Sequence, residues 1–194
     1  MIATDTLSPG FLIASPRLDG SVFERSVIVM VHHDAEGAMG FIVNKPIDVD
    51  LGTLLEMVDV DADRISQACY DETVFFGGPV RVEQLWVMEH SDTTRATAEE
   101  DIDFLPGWKV ATSADTIKDL AFDAARGTLK PYMGYTGWGP GQLEGEIAEG
   151  SWLLLEFDGD LVFTHDFETV WATALERLGV SEMVFTMMGR AGEA

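Results

Sequence analysis

The sequence is poor in cysteine, poor in lysine and without a long apolar run. A single cysteine, Cys69, stands among 194 residues. No disulfide can therefore form within the chain, and a reducing compartment is the natural setting. The longest uninterrupted apolar stretch is Val27-Ile-Val-Met-Val31, far short of the ~20 residues a membrane helix needs. The first ten residues carry neither a basic stretch nor an apolar core, so no secretory leader is expected. These absences set a cytoplasmic location, away from membranes, as the expectation. Metal-ligand spacings are missing too: there is no Cys-x-x-Cys and no His-Glu-x-x-His, and Asp59, Asp61 and Asp63 lack the glycine of a calcium loop. Neither a metal nor another cofactor is expected, and folding should not need one. No Gly-x-Ser-x-Gly elbow occurs, and Cys69 sits in an acidic stretch that disfavours a thiolate.

Cations are the scarcest group for the chain's size. Twelve Lys and Arg face 34 Asp and Glu, giving a net charge of −22. The four lysines, Lys45, Lys109, Lys118 and Lys130, form no patch along the sequence. Nucleic-acid affinity comes largely from cations that neutralise phosphates, so direct DNA binding is unexpected. The acidic runs over 46–72 and 144–168 read first as a solvated surface and second as a docking face for a basic protein.

Apolar residues nevertheless make up 46% of the chain and aromatics 10%, which is globular material. Strands are expected over 11–15, 26–33, 39–43, 74–76, 85–88, 108–111, near Tyr132, over 152–157 and over 161–163. In 26–33 both alternating faces are mainly apolar, which marks a strand buried on both sides. Asp34-Ala-Glu-Gly37 should turn it into a hairpin, and Pro46 should end the second arm. Helices are expected over 51–58 behind Asp50, over 112–126 behind a Thr112/Asp115 capping box, over 142–148, and over 166–178. In the last of these, Phe167, Val170, Trp171, Ala174, Leu175 and Leu178 form one apolar stripe. Strands and helices interleave irregularly, so the class is α+β with a mixed sheet, in one domain over 1–194.

The segment Gly134-Tyr-Thr-Gly137-Trp-Gly139-Pro-Gly141-Gln-Leu-Glu144 is the nearest thing to a ligand loop. Its glycines could let a ligand approach the backbone, ahead of a helix start. It lacks the phosphate-loop ending, and tight packing of Trp138 explains the glycines equally well. His32 and His33 are adjacent on a strand, point to opposite faces and cannot share a metal. His33 continues an apolar face, which suits a hydrogen-bonded core histidine.

Several blocks together resemble the YqgE/AlgH family of bacterial proteins. They are Phe11-Leu-Ile-Ala-Ser-Pro16, Phe23 with Arg25-Ser-Val, and His33 followed by Gly37-Ala-Met-Gly-Phe-Ile-Val-Asn-Lys-Pro46. Further along come Gly77-Gly-Pro-Val80, Gly134-Tyr with Trp138, Gly141-Gln-Leu-Glu144, Glu146, Ile147, Trp152 and Gly179-Val180. The chain departs from the pattern at the acidic 48–73 and at the end, 187–192. The resemblance implies a mixed α+β fold with a partly barrel-like sheet, flanked here by about four helices. It carries over no catalytic residues. Members are often described as transcriptional regulators, and the composition directs such a role through a protein or a small ligand. The other reading is an enzyme, a hydrolase or transferase, with a cleft framed by His33, Asn44, Gly78, Gly134, Gly139 and Gly141. These six are the candidate ligand-binding residues. Each is a small or polar break beside an apolar strand, where pockets form.

Overall fold

The computed structural model describes residues 7–57, 60–91, 99–122, 128–181 and 185. In chain order the elements begin with β1 (Gly10–Ala14), β2 (Val27–Asp34), β3 (Gly37–Ile42), β4 (Pro46–Asp50), α1 (Leu51–Met57) and α2 (Gln67–Asp71). Next come β5 (Thr73–Phe76), β6 (Val80–His90), β7 (Ile102–Leu105), β8 (Trp108–Ala111), α3 (Ala114–Phe122) and β9 (Thr128–Trp138). The last are α4 (Gln142–Ala148), β10 (Trp152–Glu156), α5 (Gly159–Phe163) and α6 (Val170–Arg177). The protein is α+β, and its residues gather into two compact units, Met1–Lys45 with Tyr135–Ala194, and Pro46–Gly134.

In the first unit the strand order is β10-β1-β2-β3-β9, antiparallel throughout, with the final residues of β9 on the edge. The sequence dictates this centre. Residues 27–31 have apolar side chains on both faces, and all five are buried between β1 and β3. The hairpin turns where the Asp34 carboxylate accepts the Glu36 N–H at 2.7 Å. Gly37 follows at φ 146, where a Cβ would collide with the Trp138 carbonyl. Helix α6 docks its stripe onto this sheet. Val170, Trp171, Ala174 and Leu175 are buried, and the Trp171 indole N–H donates to the Ala14 carbonyl at 2.9 Å.

In the second unit the order is β4-β5-β9-β6-β8-β7, with residues 128–134 of β9 taking part. The β5–β9 pair is parallel, so the fold's sheet is mixed. Among the described residues, the strands of neither unit close into a barrel. The core here joins Leu51, Leu55, Val74, Val87 and Leu120. Helix α1 starts as expected, with the Asp50 carboxylate accepting the Thr53 N–H at 2.7 Å.

Several expectations are corrected. Among the described residues, six α-helices stand where about four are expected. Residues 161–163 lie in α5 rather than a strand, because Asp158 caps a helical turn by accepting the Asp160 N–H. Pro46 opens β4 instead of ending β3, and its missing N–H is tolerated at a strand's first residue. The third helix is capped by Ser113, which accepts the Thr116 N–H, and not by Thr112. Helix α6 begins at Val170, after a turn at 166–169. Residues 58 and 123–126, the expected ends of two helices, lie outside the described residues.

Candidate functional site

The glycine-rich segment is mostly strand. β9 runs on through Gly134 to Trp138, and only Gly139-Pro140-Gly141 connects it to α4. Two tryptophans fix that connection. The indole N–H groups of Trp138 and Trp152 both donate to Glu146 Oε2, at 2.9 and 2.8 Å, and their rings meet edge-on with centroids 6.0 Å apart. Gln142 donates to the other oxygen, Glu146 Oε1, at 2.9 Å, and accepts the Gly139 N–H through its own carbonyl at 3.1 Å. A carboxylate that serves two buried indoles and an amide is committed to architecture.

His33 is equally committed. Its Nδ1 accepts the Leu7 N–H at 3.1 Å, which leaves the proton on Nε2 to donate to Glu144 Oε1 at 3.0 Å. The Glu144 carboxyl is held below the usual carboxylate range, first by its own backbone N–H and then by His33. This ties β2 to the first turn of α4 and uses both ring nitrogens.

The six candidate residues fall into three places. His33, Gly139 and Gly141 belong to the β2–α4 corner of the first unit. Asn44 serves the other end of β2, at Val27, and so is not joined to His33. Gly78 and Gly134 come together in the second unit. At Gly134, φ is 72, and a Cβ would collide with the Gly78 carbonyl oxygen.

Asn44 leads to a feature that sequence reasoning missed. Its side-chain oxygen accepts the Val27 N–H at 2.9 Å, and its amide donates to the Arg25 carbonyl at 2.9 Å. Those two bonds hold Arg25 in the left-handed region, φ 51, which costs a non-glycine residue ~1 kcal/mol or more. The side chain is thereby sent over Trp171, with its guanidinium carbon 5.2 Å from the ring centroid. Lys45, beside Asn44, donates to the Val22 carbonyl at 2.6 Å. Burial pushes its ammonium below the ordinary lysine value, and Glu24 opposes that shift. Arg25, Asn44, Lys45, Phe167, Thr169 and Trp171, with Glu24 and Glu168 at the sides, border a cleft of about 420 Å³. The available signal was that two of twelve cations lie in blocks carrying the family resemblance, Arg25-Ser-Val and Asn44-Lys-Pro46.

The second unit has its own cleft of about 310 Å³ between α1, β6 and α3, walled by Leu54, Leu85, Ile117 and Met133. Its polar rim is partly self-satisfied, since Gln84 donates to the Thr112 hydroxyl at 2.6 Å. Cys69 and Lys130 are among the titratable groups buried in this unit. The Cys69 thiol is pushed up to about 11, chiefly by burial and then by Glu72, which makes it a poor nucleophile. The Lys130 ammonium lies 3.9 Å from the Phe75 ring centroid, and burial pushes it down to about 7. Among the described residues, no three His, Cys, Asp or Glu side chains are grouped to hold a metal ion. No helix among them is long and apolar enough to cross a membrane.

The fold is α+β, and each of its two units carries a cleft. The AlgH-like family model matches residues 11–182, and the chain belongs to that family. It is 36% identical over 192 residues to a UPF0301 protein of Anaeromyxobacter dehalogenans, covering 97% of this chain and 96% of that one. A UPF0301 protein of Shewanella denitrificans is 36% identical over 175 residues, covering 90% and 92%. The solution structure of the AlgH protein from Pseudomonas aeruginosa superposes with a TM-score of 0.77 at 28% identity, over 96% of each chain. A crystal structure from Corynebacterium diphtheriae shares the fold, with a TM-score of 0.70 at 17% identity over 96% of this chain and 93% of that one.

Proposed function

We propose that this chain works by binding, as a cytoplasmic regulator that acts through a protein or small ligand and does not read DNA itself. The observation that carries this reading is the cleft beside Asn44. A left-handed arginine, a clamping amide, a partly desolvated lysine and a buried tryptophan border one concavity. Strained, preorganised polar groups over an aromatic wall are the usual make-up of a recognition site. A regulator role agrees with the way the family is commonly described, and the charge of −22 favours an indirect route.

The test compares the unmodified protein with the Arg25→Asn, Lys45→Met double variant. Native mass spectrometry and affinity capture should recover a ligand or partner from the unmodified protein and lose it from the folded double variant. Duplex DNA should fail to bind at about 0.15 M salt. Equal capture by both proteins, or sub-micromolar and salt-sensitive duplex binding, overturns the reading.

A further inference from the structure

We infer that the cleft between α1, β6 and α3 docks an amphipathic segment of another protein, apolar along one face and carrying lysines or arginines at its flanks. This cleft lies within the second unit and is not the one beside Asn44. Here the core of the unit comes to the surface. Leu54, Leu85 and Met133 pack against the buried cluster yet stay half-buried, and all three line the cleft. Apolar surface also continues on the elements around it. Among the described residues, the exposed large apolar side chains are Val22, Met57 and Val82. Two of the three stand on elements that wall this cleft. Met57, 73% exposed, follows Leu54 by three positions on α1 and so lies beside it. Val82, 50% exposed, directly precedes the lining residues Glu83, Gln84 and Leu85 on β6. Single exposed apolar residues are ordinary, but a pair on the walls of an apolar cleft marks a surface wider than a small molecule covers.

Charge decides what kind of segment fits. The lining itself holds one acid, Glu83, and one cation, Lys118, so the cleft favours neither sign and takes uncharged anchors. Outside it the balance is acidic. Glu56 on α1, Asp61 and Asp63 next to the lining residue Val60, and Asp115 and Asp119 on α3 are all exposed. The exposed cations on the same segments are Arg64 and Arg81. Both are engaged: Arg64 lies 4.2 Å from the Phe122 ring centroid, and Arg81 donates to Gln84 Oε1 at 3.3 Å. A basic partner is therefore drawn in, by these acids and by the net charge of −22, and an acidic one is held off. The same excess opposes a second copy of this chain, which would bring another −22. The volume of about 310 Å³ is at the lower end for pockets, with room for one or two bulky side chains. A helix laid between α1 and α3 supplies such anchors from positions three or four apart.

The experiment titrates the full chain with a synthetic amphipathic helix of leucine and lysine, about 14 residues long. One control peptide has the same composition in an order without an apolar face. The other keeps the apolar face and has glutamate in place of lysine. By calorimetry at about 0.05 M salt, the basic amphipathic peptide should bind at least about tenfold more tightly than the scrambled one, and the acidic one should not bind. Affinity should fall as sodium chloride is raised. Hydrogen exchange in the complex should slow in α1 and α3. Leu54→Lys should weaken binding about tenfold and Met57→Ser about threefold. The Arg25→Asn, Lys45→Met double variant should bind the peptide as the unmodified protein does. If Leu54→Lys does not fold, Met57→Ser and the exchange pattern decide. Equal binding of the scrambled peptide means that charge alone is read and overturns the inference, as does binding of the acidic peptide. Slowed exchange elsewhere, or binding unchanged in both cleft variants, overturns the site. Loss of binding in the double variant places the peptide in the Asn44 cleft and overturns this one. A dimer that Leu54→Lys dissolves assigns the face to a second copy and overturns the inference too. No binding up to about 1 mM overturns it and leaves the reading of the Asn44 cleft standing.

Discussion

Burial of the Lys130 ammonium displaces its pKa to about 7, with Glu72 opposing the shift. The unfolded value is ~10.4, so between those limits the unfolded chain binds more protons than the folded one. Stability therefore rises with pH from about 7 towards 10, and the cost of the buried charge is fully present below 7. Lys130→Met should stabilise the protein at pH 7 by on the order of 1–3 kcal/mol and flatten that rise, read by urea titration at several pH values. Glu144 acts at the opposite end of the scale. Its folded pKa is lowered, so its contribution is present above the unfolded value of ~4.3 and is lost as pH falls through the folded one. Glu144→Gln should shallow the acid limb of the same profile. Trp171→Ala removes a buried ring and orphans the Ala14 carbonyl. The expected loss is about 3–5 kcal/mol in denaturant titration.

At the scale of elements, the glycines of β9 and its connection differ in what they hold. Gly134 has a left-handed backbone pressed against the Gly78 and Val80 carbonyls, so Gly134→Ala should cost about 2 kcal/mol or more. At Gly139 a Cβ would meet only the Gln142 side-chain oxygen, 4.0 Å away. Gly139→Val should fold with a melting temperature within about 4 °C of the unmodified protein. Both are checked by thermal unfolding.

The same elements show what could be read without coordinates. Val27 to Val31 announced a central strand because both faces repeat apolar residues, and the α6 stripe announced its docking face. Residues 161–163 misled because three apolar residues fit either period, and the Asp158 cap decides the outcome. β9 misled because its glycines resemble a turn until their neighbours are in place. Asn44 was legible as a candidate, yet Arg25 and Trp171 were not. They lie 146 positions apart in sequence, and no local pattern connects them.

For the whole molecule, self-repulsion among 34 acids opposes compaction, and salt screens it. Raising ionic strength from about 0.05 to 0.5 M with sodium chloride should raise the urea midpoint. An unchanged or lower midpoint would mean that the surface acids are offset by local partners.

The first unit is written in two pieces of sequence, with all of Pro46–Gly134 between them. During synthesis, β1, β2 and β3 leave the ribosome early, but β3 waits for residues 136–138 and β1 waits for 152–156. At ~5–20 residues per second the first of those waits lasts roughly 5–20 s. Throughout that interval two of the most apolar strands in the chain have open edges, and the second unit completes its own sequence only as the interval ends. The newborn chain is thus most exposed to aggregation until residues 152–156 have been made. Its demand for a holding chaperone should fall abruptly once β10 has emerged.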